Sequence, residues 1–62
     1  MWRYIHESNG ENVWVNQEQI VKIEPSSEGF AILYCSDGSV IQTDEECEQF
    51  LIDGNILQSW KV

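Results

Sequence analysis

Short apolar and β-branched runs, separated by turn-forming residues, dominate the first forty-three positions of the chain. Two pairs of such runs each flank a dipeptide that ends in glycine: Trp2–Ser8 and Glu11–Asn16 around Asn9-Gly10, and Phe30–Ser36 and Ser39–Thr43 around Asp37-Gly38. Both dipeptides tolerate the positive φ angles of a type I′ turn, whose twist matches that of paired strands. The pattern therefore predicts two β-hairpins, with positive φ at both glycines.

A fifth run lies between the hairpins. Ile20–Glu24 alternates weakly and stops at Pro25, which cannot donate to a strand ladder, and Ser26–Gly29 is typical of a turn. Five strands in sequence order predict a small antiparallel meander, and a curled or barrel-like sheet remains an open alternative.

The strand Phe30–Cys35 is apolar on both of its faces. Phe30, Ile32 and Tyr34 alternate with Ala31, Leu33 and Cys35. A strand of this kind is expected in the centre of a sheet, covered on both sides. A helix can cover one face, and a curled sheet, the C-terminal tail or a second chain remains open for the other.

The period changes after Thr43. Thr43-Asp44-Glu45-Glu46 has the pattern of a capping box, and Cys47, Phe50 and Leu51 follow with the spacing of one helical stripe. With Gly54 as a left-handed C-cap, these residues predict a helix over residues 44–53. The chain is thus expected to form a single domain over residues 1–62, of the α+β class but mainly β, with one short C-terminal helix.

Charge limits the partners. The chain has 3 basic and 11 acidic residues, a net charge of −8, and its bases are scattered singly. Binding to a phosphate backbone requires clustered Lys and Arg, so direct contact with nucleic acid or an anionic membrane is disfavoured, whereas a basic protein is the electrostatic complement. No signal peptide or membrane span is visible, and a cytoplasmic location with reduced thiols is expected.

Few residues offer chemistry. His6, Cys35 and Cys47 lack the glycines of a nucleophile elbow and the C-x-x-C spacing and fourth ligand of a zinc site. The acidic stretch from Asp44 lacks a calcium-loop pattern, and a solvated helix face explains it better. We therefore expect a protein that is not an enzyme and that needs no metal or other cofactor.

A family resemblance rests on two adjacent stretches. Asn9-Gly10-Glu11-Asn12-Val13-Trp14-Val15-Asn16, followed by Ile20-Val21-Lys22-Ile23-Glu24, resembles the FlbD family of small flagellar-operon proteins over roughly residues 9–52. The resemblance implies a hairpin and a C-terminal helix, and it carries over no catalytic residue. The Ile-x-x-Ile-Glu strand is more faintly similar to part of the LytTR DNA-binding domain, which is longer and basic where it meets DNA.

These observations favour a small protein-interaction or regulatory module. Its predicted binding residues are Glu45, Glu48, Asp53, Trp60 and Trp2. Trp60 belongs to an apolar tail, with Ile56, Leu57 and Val62, that is expected to add a strand or to dock on a partner. Since a chain of this size buries little surface, a homo-oligomer is an open possibility. The alternative function is an acidic mimic of nucleic acid, of the anti-defence kind found in phages and mobile elements, that blocks a basic groove.

Overall fold

The computed structural model describes residues 1–55. Its strands are β1 (Trp2–His6), β2 (Asn12–Asn16), β3 (Ile20–Pro25), β4 (Phe30–Cys35) and β5 (Val40–Glu46), and they are followed by one helix, α1 (Cys47–Asp53). A short 3-10 turn, Gln17–Gln19, joins β2 to β3. The expected fold class, mainly antiparallel β with one short C-terminal helix, is confirmed.

The five strands form two antiparallel sheets. One contains β1 and β2, and the other has the order β3-β4-β5, with β4 in the centre as expected. Where β1 ends, an isolated bridge pairs Glu7 with Thr43, and the Ser8 amide donates to the Gln42 carbonyl at 2.8 Å. The two sheets are therefore joined at one corner and are not closed into a barrel.

Both predicted hairpins are present, and Gly10 and Gly38 have φ angles of 90° and 91°. Asn9 and Asp37 do not have positive φ, so these are not type I′ turns. The Gly38 amide donates to the Cys35 carbonyl at 3.0 Å, as in a three-residue connection that ends in a left-handed glycine. The side chains of Asn9 and Asp37 each accept from the backbone amide two residues later, which favours this form.

The core lies between the two sheets and α1. Its buried apolar side chains come from every layer: Ile5, Val15, Ile23, Ala31, Leu33, Phe50 and Leu51. Ala31 and Leu33 are fully buried, whereas Phe30, Ile32 and Tyr34 on the other face of β4 are only half-buried. Within residues 1–55, the expectation that both faces of this strand are covered is met on one face.

The predicted capping box is wrong. Thr43 lies within β5 and is 2% exposed; its hydroxyl donates to the Ala31 carbonyl at 2.9 Å and accepts from the Glu45 amide at 3.2 Å. The hydroxyl is thus used between strands, and the helix begins at Cys47 instead of residue 44, without a side-chain cap.

Gly54 ends the helix, but its backbone does not have the left-handed conformation that was predicted. Its φ of −85° is right-handed, and the left-handed residue is Asn55, with a φ of 56°. A Cβ atom on Gly54 would lie 2.5 Å from the Gln17 Oε1 atom and 2.6 Å from an Arg3 Nη atom. The side-chain ends of Arg3 and Gln17 therefore occupy the space that a Cβ atom at Gly54 would take.

Candidate interaction surfaces

The outer face of the β1–β2 sheet carries exposed rings. Strand alternation turns Ile5 into the core and leaves Trp2, Tyr4 and Trp14 outside, with 65%, 50% and 61% of their surface exposed. Tyr4 lies directly opposite Trp14, and their ring centroids are 5.1 Å apart. We call Trp2, Tyr4 and Trp14 the aromatic face.

The rings of the aromatic face form one close cross-strand pair. Tyr4 packs against Trp14 and makes an edge-on contact with the His6 ring at 5.6 Å, whereas Trp2 lies opposite Asn16 in the ladder. The remaining β2 side chains on this side, Asn12 and Asn16, are polar but uncharged. The aromatic face thus combines apolar rings with neutral hydrogen-bonding groups.

Beside the aromatic face, a groove of about 310 Å³ separates β2 from the turn between β4 and β5. Buried and half-buried apolar side chains line it, together with the exposed Trp2 and Trp14: Val13, Val15, Cys35 and Ile41. The groove arises because, among the strands of residues 1–55, β2 pairs with β1 alone and does not meet the three-stranded sheet along its length.

Two of the predicted binding acids meet near a cation. Glu45 is half-buried in β5. Burial is the largest cause that raises the pKa of its carboxyl, and a hydrogen bond with Asp53 is the second, whereas the positive charge of Arg3 lowers it. The Arg3 guanidinium lies 3.8 Å from the centre of the Phe50 ring and donates to the Phe50 carbonyl at 2.9 Å. Burial lowers the Arg3 pKa. Arg3 thus joins the β1–β2 sheet to α1, and both acids lie close enough to attract its charge.

Of the other predicted binding residues, Glu48 and Trp2 do not join this cluster. Glu48 is exposed in the first turn of α1, whereas Glu45, which was expected within the helix over residues 44–53, lies in β5. Asp53 is exposed at the helix end and accepts a 2.8 Å hydrogen bond from the Gln49 side chain. Trp2 lies on the aromatic face, and Trp60, with the rest of the apolar tail, lies outside the described residues.

The two cysteines are free thiols. Cys35 lines the groove, and burial and the Glu48 charge raise the pKa of Cys47. Across residues 1–55, no three His, Cys, Asp or Glu side chains converge where they could hold a metal ion. None of the helices in that part of the chain is long and apolar enough to cross a membrane.

Tyr4 and Trp14 are the members of this surface missing from the predicted binding residues. The signal was present in β2, where Asn12-Val13-Trp14-Val15-Asn16 alternates strictly. If the valines face the core, Trp14 must face outward, and its cross-strand neighbour Tyr4 must do the same.

Comparison with protein-family models, with curated proteins and with solved structures gave no match for this chain.

Proposed function

We propose that this domain is a non-enzymatic protein-interaction module whose aromatic face binds a basic segment of another protein. The supporting observation is the exposure of Trp2, Tyr4 and Trp14, each at least half accessible, on one small sheet. Tryptophan and tyrosine are enriched in the residues that carry most of the binding energy at interfaces. Large exposed rings side by side are therefore better explained by a binding role than by folding.

Charge selects the kind of partner. The chain carries a net charge of −8, so a partner rich in Lys and Arg is attracted over the whole surface. Lys and Arg also stack favourably on Trp and Tyr rings. The chain's own Arg3 lies over Phe50 and its Lys22 lies 4.6 Å from the Tyr34 ring centre, so neither of these two cations covers the aromatic face.

The exposed acids have a supporting role in this proposal. Glu48 and Asp53 lie on α1 and add to the negative field that speeds the approach of a basic segment. Glu45 contributes less, because it is half-buried and faces Arg3. The rings therefore supply contact energy, and the exposed acids supply attraction at a distance.

The test starts from the partner that the wild-type domain captures in its native host, which is purified and its binding measured directly. Trp14→Thr should weaken binding by about 30-fold, the effect of losing a hot spot of roughly 2 kcal/mol. Val21→Thr is the matched control, because Val21 is 64% exposed on β3, away from the aromatic face. Affinity should also fall as salt rises.

Equal affinity of the Trp14→Thr and wild-type domains would contradict the proposal. If Trp14→Thr binds normally, but the double change Glu48→Lys with Asp53→Lys abolishes capture of a nucleic-acid-handling enzyme, the acidic-mimic alternative is the correct one. That result would move the binding surface from the β1–β2 sheet to α1.

A further inference from the structure

Within residues 1–55, one edge of β2 has no strand partner. The Gln17 amide donates to the Met1 carbonyl at 2.8 Å, which marks these two residues as a hydrogen-bonded pair of the β1–β2 ladder. In an antiparallel ladder every second pair is of this kind, so Val15 and Val13 bond to β1. The backbone groups of the alternate residues point away from β1: Asn12, Trp14 and Asn16.

The sequence of this strand is a palindrome. Asn12-Val13-Trp14-Val15-Asn16 has the same order in both directions, with Trp14 at its centre. We infer that β2 pairs antiparallel with β2 of a second copy of this chain, about a two-fold axis at Trp14. Such an interface uses the same patch on both copies, which is what a two-fold dimer requires.

The outward-pointing groups fit this register. Trp14 is directly opposite Trp14 of the second copy, and each donates its amide hydrogen to the other's carbonyl. The Asn16 amide of each copy donates to the Asn12 carbonyl of the other. Four backbone hydrogen bonds therefore form, and the valines of both copies lie on the inner face of the extended sheet.

Two of the edge strands, β2 and β3, differ in how they resist such pairing. β3 carries Lys22 and Pro25, and its register is shifted between Ile20 and Lys22, all of which hinder addition of another strand. β2 has neither charge nor proline, and its ladder with β1 is regular throughout. The edge of β2 is therefore better suited than that of β3 to accept a second copy.

The groove lies where the inner side chains of the added strand would be. It runs beside β2 with a volume of about 310 Å³, and Cys35 and Ile41 line its far side. The valines of the second copy would cover these side chains. On the outer side, the Tyr4–Trp14 pair would continue into the same pair of the second copy, which doubles the aromatic face.

Salt separates this inference from the proposed function, on which it does not depend. Each copy has a net charge of −8, while β2 itself is uncharged. Repulsion between copies is screened as the Debye length falls from about 30 Å at 0.01 M to about 8 Å at 0.15 M salt. Self-association should therefore strengthen with salt, whereas binding of a basic partner should weaken.

The test uses the full chain, made by chemical synthesis, with a single methyl group on one backbone nitrogen. Methylation of the Trp14 nitrogen removes the central intermolecular donors but keeps the indole ring and the bonds to β1. Methylation of Tyr4 is the matched control, because its amide points to the opposite edge of the same hairpin. Sedimentation equilibrium measures the mass over a range of concentrations, and circular dichroism checks that both variants fold.

Wild type and the Tyr4 variant should move from 7.2 kDa toward twice that mass, while the Trp14 variant stays at 7.2 kDa. A wild-type mass that remains monomeric up to millimolar concentration in high salt would overturn the inference. Equal association of both variants would do the same, as would amide exchange at Trp14 that is protected equally in dilute and concentrated samples. Trp14→Thr keeps the backbone amide, so it tests the proposed function without removing these bonds.

Discussion

β2 and β4 are both short strands with apolar side chains, but the fold uses them differently. β4 has hydrogen-bonded neighbours on both edges, and its Ala31 and Leu33 have no exposed surface. β2 has one neighbour within the described chain, and its central Trp14 is 61% exposed. The patterns differ accordingly, since β4 is apolar at every position, while β2 alternates.

The comparison indicates a division of labour. A domain of this size has about 3 to 9 kcal/mol of stability, by the usual value per residue. The strand that supplies much of the core cannot also be exposed for binding. Large rings placed on the outer face of β2 and β1 leave the core packing around β4 undisturbed, so recognition and stability can be changed separately.

The largest expected effect comes from β4. Leu33→Ala should lower the free energy of unfolding by 2–5 kcal/mol, the usual range for a buried leucine, and it would leave part of the population unfolded. Trp14→Thr should lower it by only about 0.2–1 kcal/mol, since it removes one cross-strand aromatic pair. Urea unfolding of both variants measures the difference. Similar losses would show that the rings of β2 stabilise the fold as much as the core does.

The next effect compares the turns of the two hairpins. Gly38→Val and Gly10→Val should each cost about 1 kcal/mol or more, because valine disfavours positive φ. A Cβ atom at either position would have no atom within 4 Å, so the cost is conformational and not a clash. If the domain unfolds as one unit, the two urea midpoints should fall by similar amounts.

Unequal shifts would mean that the hairpins do not unfold together. In particular, a Gly10→Val variant that loses its tryptophan signal while the β-sheet signal of β3–β5 persists would show that the β1–β2 sheet opens by itself. That outcome would weaken the assignment of recognition to a rigid surface.

Local patterns were enough to predict the hairpins, the central strand and the existence of one C-terminal helix. Turn glycines and strand alternation act over a few residues, so they can be read directly from the sequence. The same alternation places Trp14 outside, and with it the aromatic face. Both strands β1 and β2, and the side chains on their solvent-exposed face, were therefore predictable from the sequence.

Contacts between residues distant in sequence explain the features that were predicted wrongly or not at all. Thr43 has the local pattern of a helix cap, but its hydroxyl bonds to the Ala31 carbonyl twelve positions away. Gly54 was expected to be left-handed, whereas its lack of a side chain makes room for Arg3 and Gln17. The groove, too, depends on where β2 lies relative to the turn after β4. None of these relations leaves a local signal.

The smallest effect concerns the place where the two regions meet. Burial and Asp53 raise the Glu45 pKa above its ordinary value of 4.5, against the pull of Arg3 from β1. The folded state therefore binds the proton more tightly than the unfolded state, so the stabilisation is complete below pH 4.5 and is lost as pH rises through the higher, folded-state pKa. Since solvent screens this half-buried carboxyl, the change should be below about 1 kcal/mol.

Glu45→Gln should remove this part of the pH dependence. From pH 4.5 to 7, the melting temperature of the wild type should fall relative to that of the variant. Glu48→Gln is the control, because it removes one exposed acid from α1 and reduces the net negative charge by the same amount as Glu45→Gln. If the two variants show the same melting profile, Glu45 responds only to the overall charge. If they differ as expected, burial beside Asp53 makes ionised Glu45 unfavourable to the fold by more than its attraction to Arg3 offsets, at the place where the β1–β2 sheet meets α1.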